Sequence, residues 1–275
     1  GNMMSKLKLI FLAIPLSFIF NVNIHAQSTG MLEEVVVTAQ KREESLQDAP
    51  IAITAITEST IDDLDIANVV DLAGMAPNVH IINTPSNNTA ATIAMRGGTT
   101  INPAITWEPT VGMYLDGVYL GKGQGSIFDV ADLERVEILR GPQGTLYGRN
   151  TLGGAINLIS KKPSGAGTSA KVTLGNYGLK QTQLIGDYEI GENVFTKIVV
   201  NNKKRGGYVN NAASPYQAAQ GVVPNTTSRN TELDTINSKG VKFTLAYEGD
   251  KTSVNLSLDK TDQDNIPPFA QLTNT

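Results

Sequence analysis

Few residues in this chain have the types and spacing that could support chemistry, and a glycine-rich stretch at residues 141–148 is the first to consider. Its sequence, GPQGTLYG, has the glycine content of a loop that cradles phosphate groups with backbone N–H groups. It lacks the Gly-Lys-Ser/Thr ending of such loops, however, and no apolar helix pattern follows it. The stretch therefore does not predict a nucleotide site.

Cysteine and histidine, which most often support metal binding and nucleophilic catalysis, are nearly absent. The chain has no cysteine and two histidines, which excludes disulfides, thiolate zinc sites and thiol nucleophiles. His25 lies in a segment that we expect to be removed, so His80 alone cannot build a multi-histidine metal site. No Gly-x-Ser-x-Gly sequence is present to support a serine hydrolase around His80. We therefore expect no enzyme activity, no metal site and no cofactor.

The N-terminal residues have the pattern of a secretory signal peptide, which we predict over residues 1–26. Lys6 and Lys8 precede an apolar run from Leu9 to Phe20, which is shorter than the roughly 20 residues of a membrane-spanning helix. Ala26 ends an acceptable cleavage site, and an uncleaved anchor is the alternative.

The formal net charge is −4, so an overall basic footprint for nucleic acid is absent and we expect no nucleic acid partner.

A β-branched run, EEVVVTA, follows at residues 33–39. An exposed segment of this kind can add a strand to the open sheet edge of a partner, because backbone hydrogen bonds supply the affinity. It can equally be the first strand of the domain that follows. Composition leaves both interpretations open.

Residues 50–163 carry mixed helix and strand signals, which predict a compact α+β domain. Asp116-Gly117, between two apolar runs, is a strong hairpin signal. The other predicted elements are a strand around Ile51–Ala55, a helix at Glu58–Leu64 started by Thr57, a helix at Val69–Met75 stopped by Pro77, a helical turn at Asp129–Leu133, and strands at Arg135–Arg140 and Ala155–Ile159.

After Pro163 the pattern changes to long strands in which apolar and polar residues alternate. Both a transmembrane β-barrel and a soluble sandwich have this alternation. Short links at residues 191–193 and 249–251 and a long link at 205–238 favour a barrel with short periplasmic turns and long external loops. The first link, around Asn176–Gly178, is short and is an exception to this pattern. Too few strands are present to close a barrel, so we expect the remaining strands to lie outside this sequence.

Taken in order, several motifs resemble the plug domain of TonB-dependent outer-membrane receptors. They are VVVTA at 35–39, AMRG at 94–97, YLDGV at 114–118, LERVEILRGP at 133–142, LYG at 146–148 and GGAIN at 153–157. The resemblance implies a signal peptide at 1–26, a TonB-box segment and linker at 27–48, an α+β plug at 49–163, and at 164–275 the start of an antiparallel transmembrane β-barrel.

The resemblance also implies a function: TonB-dependent transport of a scarce ligand across the outer membrane of a Gram-negative bacterium. The implied partners are the C-terminal domain of TonB, indirectly ExbB and ExbD, outer-membrane lipid, and a small extracellular ligand. A ferric siderophore is the expected ligand, with a vitamin, haem or a glycan as alternatives. A soluble secreted β-rich binding protein is the alternative from a different class.

Site residues follow from the same resemblance. The TonB-binding residues are expected to be Glu33, Glu34, Val35, Val36, Val37, Thr38 and Ala39. Arg96 and Arg140 are expected to be buried between plug and barrel and to pair with carboxylates beyond Thr275, the alternative being local carbonyls or Glu134 and Glu137. Three loops, Thr84–Thr89, Thr99–Glu108 and Leu120–Gly125, are expected to face the ligand. The ligand-facing candidates on them are Asn87, Asn102, Trp107 and Gln124, and packing on the plug core is the alternative for Trp107.

Overall fold

The structure is a computed structural model that describes residues 35–38, 40–42, 44–64, 66, 68–84, 87–99, 108–120, 132–210 and 232–266, with backbone alone at 84, 87–90, 209, 210 and 232. The predicted signal peptide lies outside these ranges.

The first part of the chain is an α+β domain, as the sequence predicts. Its elements are β1 (Val36–Val37), β2 (Glu44–Ser45), β3 (Ile53–Thr57), α1 (Glu58–Asp63), a 3-10 helix (Val69–Leu72), β4 (Val79–Thr84), β5 (Asn87–Met95), β6 (Gly98–Thr99), β7 (Val111–Leu115), β8 (Val118–Tyr119), β9 (Leu133–Arg140), α2 (Gly144–Tyr147) and β10 (Gly154–Ser160). The main sheet has the order β3-β9-β10-β7-β8, with β7 and β10 parallel and the other neighbours antiparallel. A second sheet has the order β4-β5-β6.

Local signals place two of these elements as predicted. Thr57 caps α1, and its side chain accepts a hydrogen bond from the backbone N–H of Thr60. Asp116 and Gly117 both have positive φ, 49° and 83°, which is the two-residue hairpin turn that joins β7 and β8. None of the helices in the described ranges is both long and apolar enough to cross a membrane.

Three predicted elements are corrected by the structure. The helix expected at Val69–Met75 is only a 3-10 helix at Val69–Leu72, because Ala73 is extended and Gly74 has a φ of 86°. Leu133 starts β9 and does not end a helical turn. The loop expected at Thr84–Thr89 is largely strand, since Thr84 ends β4 and Asn87 begins β5.

The core of this domain lies between its sheets and its helical segments. Its largest fully buried apolar side chains are Val37, Val69, Leu72, Ile81, Met95, Val136, Ile138, Leu139, Ile156 and Leu158. At Gly154 the packing leaves no room for a side chain, because a Cβ there would overlap the carbonyl oxygen of Leu139 and the sulfur of Met95. The strands β5, β9 and β10 are thus held in close contact.

The second part of the chain is a five-stranded antiparallel sheet. Its strands are β11 (Gly167–Gly175), β12 (Leu179–Gly191), β13 (Val194–Arg205), β16 (Ile236–Glu248) and β17 (Ser253–Gln263), paired in that order, while β14 (Val209–Asn210) and β15 (Glu232–Leu233) form a small ribbon in the long link. A 3-10 turn, Asn176–Gly178, joins β11 to β12.

The two faces of this sheet differ in polarity. On β13, Lys197, Asn201 and Lys203 are buried on the face toward the α+β domain, while Ile198 and Val200 on the other face are about half exposed. The exposed apolar residues of the sheet are Val172, Leu174, Leu184, Tyr188, Ile190, Ile198, Val200, Val241, Tyr247, Val254, Leu256 and Leu258. An apolar outer face that alternates with a polar inner face is typical of a membrane barrel wall.

Candidate functional site

The segment predicted to bind a partner by strand addition is docked on the α+β domain. Val36 and Val37 pair with Ser45 and Glu44, and the N–H of Leu46 donates to the carbonyl of Val35 at 2.9 Å. Val37 is fully buried, whereas Val36 is 42% exposed. The structure therefore supports both interpretations of this run. It forms a short strand of its own domain, and part of it is exposed, where a partner strand could pair with it. Glu33, Glu34 and Ala39 lie outside the described residues.

A buried carboxylate fixes the end of this segment. Glu137 on β9 is fully buried, and its Oε1 accepts from the N–H of Thr38 at 2.7 Å and from the hydroxyl of Thr38 at 3.1 Å. Arg135 Nε donates to the same oxygen at 2.9 Å, and the Asn157 amide donates to Oε2 at 3.3 Å. A buried carboxylate needs such donors, so Thr38 completes its hydrogen bonding.

Two tyrosines pack beside this carboxylate. Asn157 donates to the hydroxyl of Tyr147 at 2.7 Å, and Tyr114 donates to the carbonyl of Tyr147 at 2.6 Å. Burial raises the pKa of both tyrosines above the usual value of 10.0, so both phenols stay neutral at physiological pH. Lys41, just after the docked strand, lies 4.6 Å from the ring centre of Tyr147 and 5.5 Å from that of Tyr114.

Of the two arginines singled out in the sequence, Arg140 directly precedes Gly141 and Arg96 approaches Gly141 from another strand turn. Arg96 is exposed in the turn between β5 and β6, and its Nη1 lies 2.9 Å from where a Cβ on Gly141 would stand. Arg140 is half-buried, and its Nε is buried without a hydrogen-bond partner among the described atoms. In the described ranges neither arginine pairs with Glu134 or Glu137; both carboxylates contact Arg135 instead.

Of the four ligand-facing candidates, Asn87 alone lies within the described residues. Asn87 is the first residue of β5, while Asn102, Trp107 and Gln124 lie outside the described residues. Glu108, next to Trp107 in sequence, forms an exposed ion pair with Arg149 at 3.3 Å.

A second charged cluster joins the α+β domain to the sheet. Lys197 on β13 is buried and contacts Asp132, which precedes β9, at 2.7 Å and Asp187 on β12 at 3.9 Å. Burial raises the pKa of Asp132 above its ordinary value, although hydrogen bonding and attraction to Lys197 act in the opposite direction. In the sequence, Asp187 and Lys197 are polar positions of alternating strands and Asp132 lies in a predicted helical turn, so the cluster was not predicted.

Asp187 also holds the link between the two parts of the chain. Its Oδ1 accepts from the N–H groups of Ser164 and Gly165 at 3.0 and 2.9 Å, and its Oδ2 accepts from the Ser164 hydroxyl at 3.2 Å. A carboxylate with this many donors restrains the backbone that it contacts. The C-terminal end of the α+β domain is thus hydrogen-bonded to β12 of the five-stranded sheet.

The hairpin turn at Asp116 makes a further contact. Lys242 on β16 donates to Asp116 Oδ2 at 2.8 Å and to the Ser160 hydroxyl at 2.5 Å. Close by is a cavity of about 430 Å³, lined by Leu115, Leu120 and Lys161 from the domain and by Asn201, Ser238 and Thr244 from the sheet. The space between the domain and the inner face of the sheet is therefore partly open and largely polar on the sheet side.

Residues 45–155 match the family model of the TonB-dependent receptor plug domain. The part of the chain that this model covers is a TonB-dependent receptor plug domain. This confirms the resemblance carried by the motifs, and the strands after the plug match the start of a receptor barrel.

Relatives and solved structures agree with this assignment. The chain is 30% identical to the catecholate siderophore receptor Fiu of Escherichia coli K12 over 57% of its own length and 20% of that protein's length. It is 28% identical to the vitamin B12 transporter BtuB of Vibrio vulnificus CMCP6 over 55% of this chain and 24% of that protein. The crystal structure of the ferric yersiniabactin uptake receptor FyuA from Yersinia pestis superposes with a TM-score of 0.63 at 20% identity, over 77% of this chain and 31% of that one. The chain thus spans about a quarter, or less, of the length of Fiu and of BtuB.

Proposed function

We propose that this chain supplies the plug and the first barrel strands of an outer-membrane transporter in a Gram-negative bacterium, and that TonB energises it. The observation that carries the proposal is the docked segment Val35–Thr38, placed immediately before a plug domain and held to it by a few contacts around Glu137. Energy must come from outside the receptor, because binding of the ligand alone cannot drive uphill transport.

The docked segment suits a contact that forms and is later released. Release would expose Val37 and break two hydrogen bonds from Thr38 to Glu137. Burying a valine side chain contributes on the order of 1.5–3 kcal/mol, and a hydrogen bond to a charged group contributes about as much. These are modest energies, which binding of TonB by strand addition can offset.

For the transported ligand we propose an iron chelate of the siderophore class. Support comes from the names of the relatives, since Fiu is a catecholate siderophore receptor and FyuA takes up ferric yersiniabactin. BtuB, a vitamin B12 transporter, keeps a non-iron ligand as the second candidate. Asn87, Asn102, Trp107 and Gln124 remain the proposed ligand contacts, and they await a test.

Arg96 and Arg140 remain proposed partners of barrel carboxylates outside the described residues. The unpaired, buried Nε of Arg140 supports this assignment, because a buried guanidinium N–H without an acceptor is costly. Arg96 is exposed among the described residues, so its expected burial would require barrel strands that are not described.

Val36→Pro tests the proposal in the complete receptor. Proline lacks an N–H and fixes φ, so it disrupts strand pairing by the segment. We expect Val36→Pro to abolish TonB-dependent uptake of ferric chelate in iron-starved cells while binding to the cell surface stays normal.

The matched control is Val36→Ala, which keeps the backbone donor and should retain most uptake. Normal uptake by Val36→Pro would contradict the proposal. A receptor that stays in aqueous solution without detergent would instead favour the soluble binding protein.

A further inference from the structure

Lys41 contacts the plug just beyond the docked segment Val35–Thr38. It lies three residues after Thr38 and outside the run that is expected to bind TonB. Its Nζ is 4.6 Å from the ring centre of Tyr147 on α2 and 5.5 Å from that of Tyr114 on β7. Both distances fall within the range of about 6 Å in which a ring face attracts a cation. The ammonium group therefore contacts two separate elements of the plug.

The two tyrosine rings are held in place by contacts of their own. The hydroxyl of Tyr114 donates to the carbonyl oxygen of Tyr147 at 2.6 Å, and the ring centres are 5.0 Å apart in an edge-to-face arrangement. Both residues are buried. A cation that reaches these rings meets a surface that is already ordered, so the contact costs little conformational entropy of the rings.

A closed series of contacts joins Lys41 to Thr38. The N–H of Lys41 donates to the carbonyl oxygen of Thr38 at 2.9 Å, and the N–H of Thr38 donates to Glu137 at 2.7 Å. Asn157 donates to Glu137 at 3.3 Å and to the hydroxyl of Tyr147 at 2.7 Å, and the ammonium group faces the ring of that tyrosine. Contacts that share partners in this way are energetically coupled, so we expect them to break together.

The backbone at Lys41 has a conformation that lysine adopts only at a cost. Its φ is 62°, in the left-handed region, and such a conformation persists where surrounding contacts hold it. The neighbouring Arg42 instead contacts Gln40 at 3.1 Å and Glu44 at 3.4 Å, both in the same N-terminal stretch. Among the described residues, Lys41 has no carboxylate partner, so its ammonium group faces the tyrosine rings and not an anion.

We infer that Lys41 is a positioning residue that holds the docked segment against the plug and so sets how often the segment is available to TonB. Because TonB must compete with the docked contacts, weakening them should tighten binding of TonB to the receptor without chelate. This inference rests on the proposed function. The docked contact itself can be measured in the absence of TonB.

The first test measures hydrogen exchange of the Thr38 amide in the complete receptor, without TonB or chelate. Lys41→Met removes the charge at nearly constant side-chain length. We expect exchange to become about two- to fivefold faster, the factor that corresponds to one exposed cation–π contact. Lys41→Arg keeps a cation that can face the rings, so it should keep the slow exchange.

Lys251→Met is the control for the change in charge. Lys251 lies outside the plug, at the short turn between β16 and β17, so its replacement should leave the exchange of Thr38 unchanged. Unchanged exchange in Lys41→Met, or equal acceleration in Lys41→Met and Lys41→Arg, would overturn the role of Lys41.

The second test distinguishes positioning of the segment from a general contribution to stability. We expect Lys41→Met to raise the affinity of the chelate-free receptor for the TonB C-terminal domain by about two- to fivefold, while the unfolding temperature of the receptor stays unchanged. A purely structural role would lower the unfolding temperature and would not raise the affinity. That result would also overturn the inference.

Uptake of ferric chelate by wild-type cells separates this inference from the proposed function. Normal TonB-dependent uptake, with exchange of Thr38 that Lys41→Met does not change, overturns the role of Lys41 alone. A wild-type receptor that supports no TonB-dependent uptake refutes the proposed function, whatever the exchange experiment shows.

Discussion

At the scale of single residues, two buried carboxylates fix the two ends of the plug in different ways. Glu137 accepts a hydrogen bond from the N–H of Thr38 at the N-terminal end, and Asp187 accepts hydrogen bonds from the N–H groups of Ser164 and Gly165 at the C-terminal end. Asp187 also faces Lys197, at 3.9 Å. Under the proposed function, a force that TonB applies to Val35–Thr38 would reach the contacts of Glu137 first, because Thr38 makes two of them.

Glu137→Gln should loosen the docked segment. The substitution keeps the side-chain shape but removes the charge that faces Thr38 and Arg135, so we expect a local loss of about 1.5–3 kcal/mol. Hydrogen exchange at the Thr38 amide should become roughly ten- to a hundredfold faster. The matched control is Glu134→Gln, a partly exposed partner of Arg135, which should change that exchange little. Equal acceleration by both variants would argue against a specific role of Glu137.

At the scale of elements, the β1–β2 pair is much shorter than the β9–β10 pair of the main sheet. β1 and β2 share two paired positions, whereas β9 and β10 pair from Gly154 and Arg140 through Ser160 and Leu133. A two-residue pair contributes few cooperative contacts. By its length, the β1–β2 pair can therefore open while the pairing of β9 with β10 stays intact.

Gly154→Ala tests how tightly the main sheet is built. An added Cβ would overlap backbone and sulfur atoms of Leu139 and Met95, and its φ of 152° is unfavourable for alanine. We expect a loss of more than about 1–3 kcal/mol in the unfolding free energy of the plug, measured by denaturant titration. Gly144→Ala, where nothing lies within 4 Å of the new Cβ, is the control and should be nearly neutral. Similar stabilities for the two variants would show that the close packing is relieved by a small backbone shift.

At the scale of the whole molecule, the features that could be predicted from the sequence are those that depend on neighbouring residues. The Asp116-Gly117 turn and the Thr57 cap depend on neighbours within a few residues, and the barrel strands depend on simple alternation. The helix after Asn68 was predicted too long because Gly74 acts as a stop before Pro77 does.

Contacts distant in sequence escaped prediction. Thr38 and Glu137 are 99 residues apart, and nothing in either local sequence specifies the other. The cluster of Asp132, Asp187 and Lys197 likewise forms only when the plug packs against the five-stranded sheet. The family motifs indicated which segments matter, but not which side chains hold them.

Cross-linking at Val36 tests the central claim most directly. The chain has no cysteine, so Val36→Cys introduces a unique thiol into this part of the receptor. We predict that it forms a disulfide with a cysteine-bearing strand of the TonB C-terminal domain when ferric chelate is bound, and that adding Glu137→Gln increases cross-linking without the chelate. The control is Leu64→Cys, at an exposed plug position that should not cross-link. Absence of cross-linking at Val36 in receptors that still take up the chelate, or equal cross-linking at Leu64, would contradict the account.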